Sequence, residues 1–396
     1  MATAIKRNNY RSEENPELSI VLPCLNEERT VGICVAKAGS FLKRNRIKGE
    51  VIVADNGSTD DSRKIAKEKG ARVVTVLQKG YGMALRGGFE AARGKYIIMA
   101  DADDSYNLAD LMPFLEKLRS GFDLVMGNRF KGGIGKGAMP WHHRYIGNPI
   151  LSFIGKLFFN TPARDFHCGL RGFSKAAIRK MDLQTSGMEL ASEIVIKASI
   201  LEMRVCEVPT TLSPAGRDRP PHLHSFRDGW RHLRFLLIYS PRWLFLYPGM
   251  TLTTLGGLAS VALFFGRIDI GIRFFDFHSF ILAGAILMLG ISMLSFAGIT
   301  RVFAYNFKLL PKRPFFFRYF RYVNLEVGLG IGSFLVLCGI TLIGYAASLS
   351  VSPGFESLGF NQSIRLVFGG SLLLVTGGQV VLISFVFSML GLNLRD

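Results

Sequence analysis

Four long apolar stretches occupy the second half of this chain of 396 residues, at 243–265, 280–303, 327–349 and 366–392. A helix needs about 20 mostly apolar residues to cross the hydrocarbon core of a bilayer, and each stretch reaches that length. Each also contains glycines, which membrane helices tolerate because they let backbones pack closely. The pattern predicts an all-α membrane domain of four transmembrane helices over residues 243–396.

The basic residues of the short loops predict the orientation of these helices. The loop between the second and third stretches contains Lys308, Lys312, Arg313, Arg318 and Arg321, whereas residues 350–363 contain neither Lys nor Arg. Because cytoplasmic loops are enriched in Lys and Arg, we expect the 304–324 loop and both termini in the cytoplasm. Residues 1–17 form a polar tail without the apolar core of a signal peptide. We therefore expect a multi-pass protein of the cell inner membrane with a cytoplasmic N-terminal domain.

The formal net charge of +18 suits an anionic membrane surface, phosphorylated ligands or nucleic acid. No helix-turn-helix, zinc-finger or RNP signature is present, so nucleic acid is not an expected partner. Residues 225–242, just before the first apolar stretch, place apolar side chains on one helical face and arginines on another. This pattern predicts an amphipathic helix at the membrane interface. The five cysteines form no CxxC pair, which indicates reduced thiols.

The N-terminal half alternates short β-rich runs with helical segments. Strands are predicted at 18–22, 50–55, 72–77, 95–101 and 123–127, and helices at 30–44, 61–69, 82–92 and 108–120. Such alternation predicts an α/β domain with a mostly parallel, Rossmann-like sheet. Ligands bind beyond the carboxyl ends of the strands in sheets of this kind. The residues that follow the strands are therefore the first candidates for a site.

Polar clusters follow the first, second and fourth predicted strands. They read Pro23-Cys24-Leu25-Asn26-Glu27-Glu28, Asp55-Asn56-Gly57-Ser58-Thr59-Asp60 and Asp101-Ala102-Asp103-Asp104. We expect them to meet at one edge of the sheet. Magnesium typically takes one or two carboxylates together with substrate phosphates. Asp101 and Asp103 are therefore the predicted metal ligands, with Mg²⁺ or Mn²⁺ as the cation.

Five segments together resemble the GT-A-fold, family 2 glycosyltransferases. They are LSIVLPCLNEE (18–28), VIVADNGSTDDS (51–62), KGYGMALRGGFEAARGKYIIMADADDS (79–105), DLVMGNRF (123–130) and DFHCGLRGFSKAAI (165–178). Within that family the similarity is greatest to dolichol-phosphate mannose synthase and the bacterial polyprenyl-phosphate glucosyltransferases. The resemblance implies a cytoplasmic GT-A catalytic domain over residues 18–224.

The resemblance also implies roles for individual residues. Binding of the nucleotide-sugar donor is expected at Pro23, Asn26, Glu27, Asp55, Gly57, Ser58, Lys79, Asp101, Ala102, Arg217 and Arg219. The run from Lys79 to Gly82 is similar to a phosphate-cradling loop at a helix N-terminus. The family's acceptor-side motif matches Asp165, Cys168, Gly169 and Arg171.

The acceptor in this family is a lipid phosphate, which is largely ionised at neutral pH and needs positioning more than a base. An arginine fork matches phosphate oxygens, so Arg129 and Arg171 are the candidate acceptor ligands. Asp165 is expected to orient the acceptor or to complete the metal shell. The alternatives are a structural ion pair for each arginine and a buried structural carboxylate for Asp165. Glu193 is a candidate to orient Arg171 or a sugar hydroxyl.

The resulting hypothesis is metal-dependent transfer of a hexose from a nucleotide-sugar to polyprenyl phosphate. The resemblance implies UDP-glucose as the donor. The resemblance implies a single displacement with inversion, at the cytoplasmic face. A homo-oligomer stays an open alternative. Two alternative functions fit the sequence less well. A processive polysaccharide synthase usually carries Q-x-x-R-W, but Tyr239 precedes Arg242-Trp243 here. A non-enzymatic transporter or scaffold is disfavoured because no acidic cluster is lost.

Overall fold

The computed structural model describes residues 15–216, 225–270, 273–306, 325–351 and 360–391. The chain divides into two compact units, residues 1–239 and 240–396. Each unit contains its own apolar clusters.

The first unit is built on a seven-stranded sheet. Its strands are β1 (Leu18–Cys24), β2 (Gly49–Asp55), β3 (Arg72–Thr75), β4 (Tyr96–Met99), β5 (Leu124–Asn128), β6 (Arg171–Ser174) and β7 (Val205–Pro209). Their order across the sheet is β3-β2-β1-β4-β6-β5-β7. β6 runs antiparallel to both of its neighbours, and the remaining pairs are parallel. The predicted mostly parallel fold is confirmed, although β6 and β7 were not predicted.

Helices connect these strands. They are α1 (Val31–Arg44), α2 (Ser62–Glu68), α3 (Tyr81–Ala91), α4 (Met112–Arg119), α5 (Arg129–Gly132), α6 (Asn148–Phe159), α7 (Lys175–Met181), α8 (Leu190–Ile200) and α9 (Ser225–Ile238). A π-helical turn at His143–Gly147 leads directly into α6.

Alternation along each strand divides the core into two layers. Leu18, Ile20 and Leu22 of β1 join the cluster on one face of the sheet, and Val21 joins the cluster on the other. Successive side chains of a strand point to opposite faces, so a strand covered on both sides reads as a continuous apolar run. This explains why β1 and β4 have almost no polar positions.

The second unit is helical. It starts with a π-helical turn at Arg242–Leu246 and continues through α10 (Tyr247–Phe265), α11 (Phe277–Asn306), α12 (Leu325–Val351) and α13 (Phe360–Gly391). A short hairpin of β8 (Ile268–Ile270) and β9 (Arg273–Phe275) separates α10 from α11. All four long helices are apolar enough to cross a membrane, and the predicted four-helix membrane domain is confirmed. The basic loop used to predict orientation lies outside the described residues from position 307 to 324.

The predicted amphipathic segment, residues 225–242, is shorter as a helix than expected. α9 ends at Ile238, and the first membrane-spanning helix starts at Arg242. Within α9, Trp230 and Ile238 are exposed while His232 and Leu236 are buried. The helix therefore has one exposed side, with Trp230 and Ile238, and one side packed against the protein, with His232 and Leu236.

Close contact between α12 and α13 depends on glycine. A Cβ built on Gly339 of α12 would lie 2.6 Å from the carbonyl oxygen of Gly370 and 2.8 Å from the amide nitrogen of Leu374, both in α13. Small residues allow this approach in membrane helices, where van der Waals contact replaces hydrophobic driving force.

Gly339→Ala should therefore destabilise the second unit. Forcing a methyl group into a packed contact costs about 1–3 kcal/mol. Gly344→Ala, in the same helix, is the matched control because a Cβ there would meet no heavy atom within 4 Å. The expected result is a lower melting temperature in detergent for the Gly339 variant alone. Equal melting temperatures for the two variants would contradict the packing.

Candidate functional site

The candidate site lies at the carboxyl edge of the sheet. Cys24 at the end of β1 is paired in register with Asp55 at the end of β2. On the other side of β1, parallel β4 ends at Met99, two residues before Asp101. Because β6 is antiparallel and begins at Arg171 opposite Met99, the chain that precedes β6 returns to the same edge. All three polar clusters and the acceptor-side motif are thus brought together.

Hydrogen bonds connect the loop after β1 to the loop after β2. The amide of Asn26 donates to Ser58 Oγ at 2.9 Å, and Asn26 Oδ1 accepts from the amide of Thr59 at 2.8 Å. Asn26 reaches this geometry with a φ of 56°, in the left-handed region that asparagine tolerates better than most residues. Glu27 is buried and its amide donates to Ser62 Oγ at 2.8 Å. Asn26, Glu27 and Ser58 therefore hold the two loops in one arrangement.

Asp55 is fully buried at the start of the second loop. Its carboxylate accepts hydrogen bonds from the amides of Gly57 and Ser58, at 3.1 and 3.2 Å. Arg63 Nε lies 2.8 Å from the same carboxylate. Gly57 has a φ of 90°, and a side chain there would overlap the Lys79 ammonium group. Asp55 therefore organises its own loop, and base recognition by Asp55 stays a prediction.

Asn56 connects this loop to Lys79, a contact that the sequence did not reveal. Its side-chain amide donates to the carbonyls of Val76 and Gln78, and its Oδ1 accepts from the amide of Gly80. Lys79 Nζ donates to the carbonyl of Asn56 at 2.9 Å. Pro23, the first residue of the polar run in β1, is half-buried at the same edge.

The N-terminus of α3 is capped by protein. The amides of Gly82 and Met83 both donate to the carbonyl of Ser186, at 2.9 and 3.3 Å. A helix N-terminus binds an anion through just these amide groups. The amides of Gly82 and Met83 are therefore used within the protein, and a phosphate contact by residues 79–82 stays a prediction. A donor contact through the Lys79 side chain stays a prediction.

Asp101 and Asp103 follow β4 on either side of buried Ala102. Asp101 Oδ1 accepts a hydrogen bond from the Tyr81 hydroxyl at 2.9 Å, and Asp103 Oδ1 accepts from the amide of Ser105 at 3.1 Å. Asp104, with a φ of 61°, is turned away and accepts from Lys37 Nζ at 2.7 Å. Burial and the neighbouring Asp101 carboxylate raise the pKa of Tyr81 well above its ordinary value, so Tyr81 stays a neutral donor.

These two carboxylates fit a metal site that substrate phosphates complete. Among the described residues, no three His, Cys, Asp or Glu side chains converge as a complete metal site. Magnesium often accepts only one or two carboxylates and takes the rest of its ligands from phosphates and water. Asp101 and Asp103, two residues apart at the end of one strand, are oxygen donors of the right kind.

The acceptor-side motif lies directly against Asp101. A Cβ on Gly169 would overlap Asp101 Oδ2, so only glycine fits between this loop and the carboxylate. The amide of Gly169 donates to the buried Tyr106 hydroxyl at 2.8 Å, which holds the loop in place. Burial raises the pKa of the Cys168 thiol to about 12, so Cys168 is protonated and is not a thiolate nucleophile.

Arg129 and Asp165, predicted to face the acceptor separately, are paired with each other. Arg129 Nε and Nη2 donate to the two carboxylate oxygens at 2.8 and 2.7 Å, and the Arg129 amide donates at 3.0 Å. Asp165 is completely buried and Arg129 is nearly so. The Nε and Nη2 edge of the guanidinium is therefore used by Asp165, and the pair behaves as one unit between α5 and the acceptor loop. A phosphate contact by the other edge stays a prediction.

Glu207 on β7 is a further member of this network that the sequence did not reveal. Its carboxylate accepts from the Asn128 side chain at 2.8 Å, from the Asp165 amide at 3.2 Å, and from the Arg164 amide. Glu207 thereby fixes the chain that enters Asp165. A lone acidic residue within the apolar run VCEVP was the available signal.

Arg171, a predicted phosphate ligand, is bonded to the protein itself. The side chain is fully buried. It donates to the carbonyls of Cys168, Ala191 and Phe166, at 2.8, 2.7 and 2.6 Å. These three hydrogen bonds tie the acceptor loop to α8, and burial lowers the pKa of this guanidinium. Arg171 therefore positions the loop, and a contact with phosphate stays a prediction.

Glu193 does not orient Arg171 either. Its buried carboxylate accepts from the amides of Gln184 and Thr185, both at 2.9 Å, and lies 2.8 Å from Lys197 Nζ. Burial works to raise the pKa of Glu193, but the hydrogen bonds from Lys197 and Thr185 outweigh it and lower the pKa. Glu193 holds the 184–186 segment whose carbonyl caps α3.

His167, within the acceptor motif, packs against His232 of α9 with ring centroids 4.5 Å apart. Both ring nitrogens of His167 are buried and find no hydrogen-bond partner among the described residues. His232 Nδ1 lies 2.9 Å from Ser192 Oγ. Burial, aided by the positive charge of Arg129 and Arg171 and by His232, lowers the pKa of His167 well below its ordinary value.

Arg217 and Arg219 lie outside the described residues. The chain that leads to them is held at the site, because the amide of Gly216 donates to the carbonyl of Asp103 at 2.9 Å.

The acid sensitivity of the first unit should depend on His167. Its ring is neutral in the folded state, whereas the unfolded chain takes up a proton below about pH 6.5. Stability is therefore lost as the pH falls from about 6.5 toward the lowered folded pKa, by at most about 1.4 kcal/mol per pH unit. His167→Gln should flatten this dependence in urea unfolding followed by tryptophan fluorescence. The same slope in both proteins would contradict it.

Substitution of Gly169 should disturb Asp101 and reduce turnover. Displacing a reacting group by about 1 Å can reduce the rate about 100-fold, and Gly169→Ala requires the Asp101 carboxylate or the loop to move. Gly39→Ala is the control, since a Cβ there would meet no heavy atom within 4 Å. Turnover in the sugar transfer that the family resemblance implies should be measured for both proteins after circular dichroism has verified folding. Unchanged transfer by the Gly169 variant would separate this loop from the site.

Comparison with known proteins identifies the family of this chain. The model of glycosyl transferase family 2 matches residues 19–182, and that of the glycosyltransferase family 2 C-terminal transmembrane region matches residues 298–391. A low-salt glycan biosynthesis hexosyltransferase of Haloferax volcanii is 38% identical over 348 residues, which cover 88% of this chain and 83% of the relative.

One further relative and one solved structure show lower sequence identity. A dolichyl-phosphate hexose transferase of Haloferax volcanii is 28% identical over 195 residues, covering 49% of this chain and 81% of the relative. Among solved structures, glucosyl-3-phosphoglycerate synthase from Mycobacterium tuberculosis is 21% identical with a TM-score of 0.45, covering 57% of this chain and 80% of that chain.

Proposed function

The chain belongs to glycosyltransferase family 2, and we propose that it transfers a hexose from a nucleotide-sugar to polyprenyl phosphate. The observation that carries the proposal is the contact between Gly169 of the acceptor-side motif and Asp101 of the metal candidate pair. Donor diphosphate and acceptor must approach within bonding distance, and this contact provides one place for both. The dolichyl-phosphate hexose transferase among the relatives supports a lipid-phosphate acceptor.

The donor side consists of three loops at the sheet edge. Asp55 and Lys79 flank the loop that would receive the nucleotide. Asn26 and Glu27, in the loop after β1, hold it through Ser58 and Ser62. Arg217 and Arg219 remain candidates for the diphosphate. UDP-glucose is the proposed donor.

Asp101 and Asp103 would hold Mg²⁺ or Mn²⁺. When bound, the cation neutralises the negative charge that develops on the departing nucleoside diphosphate. Tyr81 orients Asp101 by its hydrogen bond, and the Ser105 amide orients Asp103.

The acceptor phosphate needs little general-base help because its second pKa is about 6. One of its oxygens forms a bond to the anomeric carbon as the bond to the nucleoside diphosphate breaks, with inversion and without a covalent enzyme intermediate. The Arg129–Asp165 pair would line the acceptor side of the site. Hydrogen bonds of Arg171 and Glu207 fix the loop that contains Asp165. Fixed donors and dipoles of this kind accelerate reactions because they do not need to reorganise.

Four candidate membrane-spanning helices make the chain a membrane protein. For its location we propose the cell inner membrane, with the catalytic unit and both termini in the cytoplasm. The lipid acceptor and the soluble donor would then meet at the cytoplasmic surface.

A transfer assay tests the proposal. Purified protein in detergent receives polyprenyl phosphate, Mg²⁺ or Mn²⁺, and a panel of labelled UDP- and GDP-sugars. We expect one labelled lipid that requires the metal, and a loss of about 100-fold or more in Asp103→Asn, because a metal ion stabilises the leaving group by several kcal/mol. Asp104→Asn is the matched control, since Asp104 is turned toward Lys37.

Three outcomes would contradict the proposal. A labelled polymer in place of a lipid monosaccharide would indicate the polysaccharide synthase. Full activity of Asp103→Asn would exclude the metal site. The absence of transfer from every donor, with nucleotide-sugar binding intact, would exclude the lipid-phosphate acceptor.

A further inference from the structure

Helix α6 of the catalytic unit is apolar on both sides. Toward the protein, Leu151, Ile154 and Phe158 pack against the core cluster beneath the sheet. On the opposite side, Ile150, Phe153 and Leu157 of α6 and Ile146 of the preceding turn are 46 to 65% exposed, at spacings of 4, 3 and 4. Large apolar residues grouped on an exposed face mark a surface that contacts lipid or another protein.

Two aromatic residues extend this surface. Trp141 and Tyr145, just before and within the π-helical turn that leads into α6, are 67 and 68% exposed. Trp and Tyr are enriched at the membrane–water boundary, where an apolar ring can enter lipid while its polar end stays hydrated. We call the six residues from Trp141 to Leu157 the α6 surface.

The segment that contains the α6 surface has no acidic residue. Residues 124–164 contain no Asp or Glu. Arg129 is buried against Asp165 and Lys131 pairs with Glu207, and the other basic residues are Lys136, Arg144, Lys156 and Arg164. Basic residues beside an apolar helical face are typical of helices that lie in the headgroup region of anionic membranes. A protein partner would not by itself require an acid-free segment.

α6 packs against α9, the last helix before the membrane part of the chain in sequence. The packed side of α6 shares one apolar cluster with Phe235 and Leu236 of α9. α9 ends at Ile238, and four residues later the first membrane-spanning helix starts at Arg242. α6 therefore neighbours the helix that leads the chain into the bilayer.

We propose that the α6 surface is inserted in the headgroup region of the bilayer and that it positions the acceptor loop at the membrane. The mechanical connection is direct. Phe166, next to Asp165, packs on Gly155 of α6, where an added Cβ would lie 2.5 Å from the ring, and the Phe166 amide donates to Ser152 Oγ at 3.3 Å. The depth of α6 in lipid is thus transmitted to the Arg129–Asp165 pair. The coupling to the acceptor rests on the proposed function, whereas the insertion does not.

The chain contains only three tryptophans, which allows a direct test. Trp230→Phe/Trp243→Phe leaves Trp141 as the single fluorophore in the full-length protein. In proteoliposomes containing phosphatidylglycerol and brominated phosphatidylcholine, we expect about half or more of the Trp141 emission to be quenched relative to unbrominated lipid, as for an inserted interfacial residue.

The matched control moves the fluorophore to the far edge of the sheet. Glu68→Trp, at the exposed end of α2, in a chain that lacks the three native tryptophans should show no bromine quenching. Equal, weak quenching of Trp141 and the Glu68→Trp fluorophore would overturn the proposal. So would a Trp141 shielded from aqueous acrylamide but unquenched by bromine, because a second copy or another protein would then cover the surface. These readouts need no substrate, so they are independent of the proposed function.

A second variant tests the coupling to the acceptor. Ile150→Ser/Phe153→Ser removes two exposed apolar side chains and should preserve the fold. We expect a several-fold higher KM for long-chain polyprenyl phosphate in liposomes, with the donor KM unchanged. Ile33→Ser, at an isolated exposed position of α1, should change neither constant. An unchanged acceptor KM in the double variant would overturn the coupling.

Discussion

Parallel pairing of β1 with β2 on one side and with β4 on the other determines where the candidate site lies. This register brings the loops that contain Asn26, Asp55 and Asp101 to one edge. Antiparallel β6 then completes the site, because a strand that starts opposite Met99 must be entered from that same edge. The acceptor-side motif therefore meets the metal candidates as a consequence of topology. The acceptor-side motif contacts Asp101 at Gly169, which has no side chain to separate them.

Buried charge keeps this edge rigid. Asp165, Arg171 and Glu193 are all fully buried, and each uses its hydrogen-bonding groups on neighbouring chain. Burial of an ionised group is costly unless it is paired and hydrogen-bonded, so such groups contribute little net stability. What they contribute is a single geometry for loops that have no secondary structure of their own. In the proposed reaction between two anionic substrates, a fixed arrangement of positive and polar groups would stabilise the transition state.

The sequence predicted the parts of the molecule that depend on periodicity and local pattern. The strands, the four membrane helices and the convergence of the polar clusters follow from alternation and from the topology of parallel sheets. Long-range partners could not be predicted in this way. Arg171 has the residue type of a phosphate ligand, yet its donors are satisfied by three carbonyls that only the fold brings near. Ser186 likewise caps α3 from about a hundred residues away, which no local pattern of residues 79–82 could reveal. The assignment of donor, metal and acceptor contacts remains a prediction.

In the proposed function, a soluble donor and a lipid acceptor meet on the catalytic unit at the membrane. The central claim of this proposal is that the phosphate of the lipid, and no hydroxyl group, receives the sugar. ³¹P nuclear magnetic resonance of the purified lipid product tests this claim most directly. The account predicts that the acceptor's phosphomonoester signal is converted to a phosphodiester, with one hexose for each phosphorus. A product that retains the phosphomonoester signal, or a glycolipid without phosphorus, would contradict it.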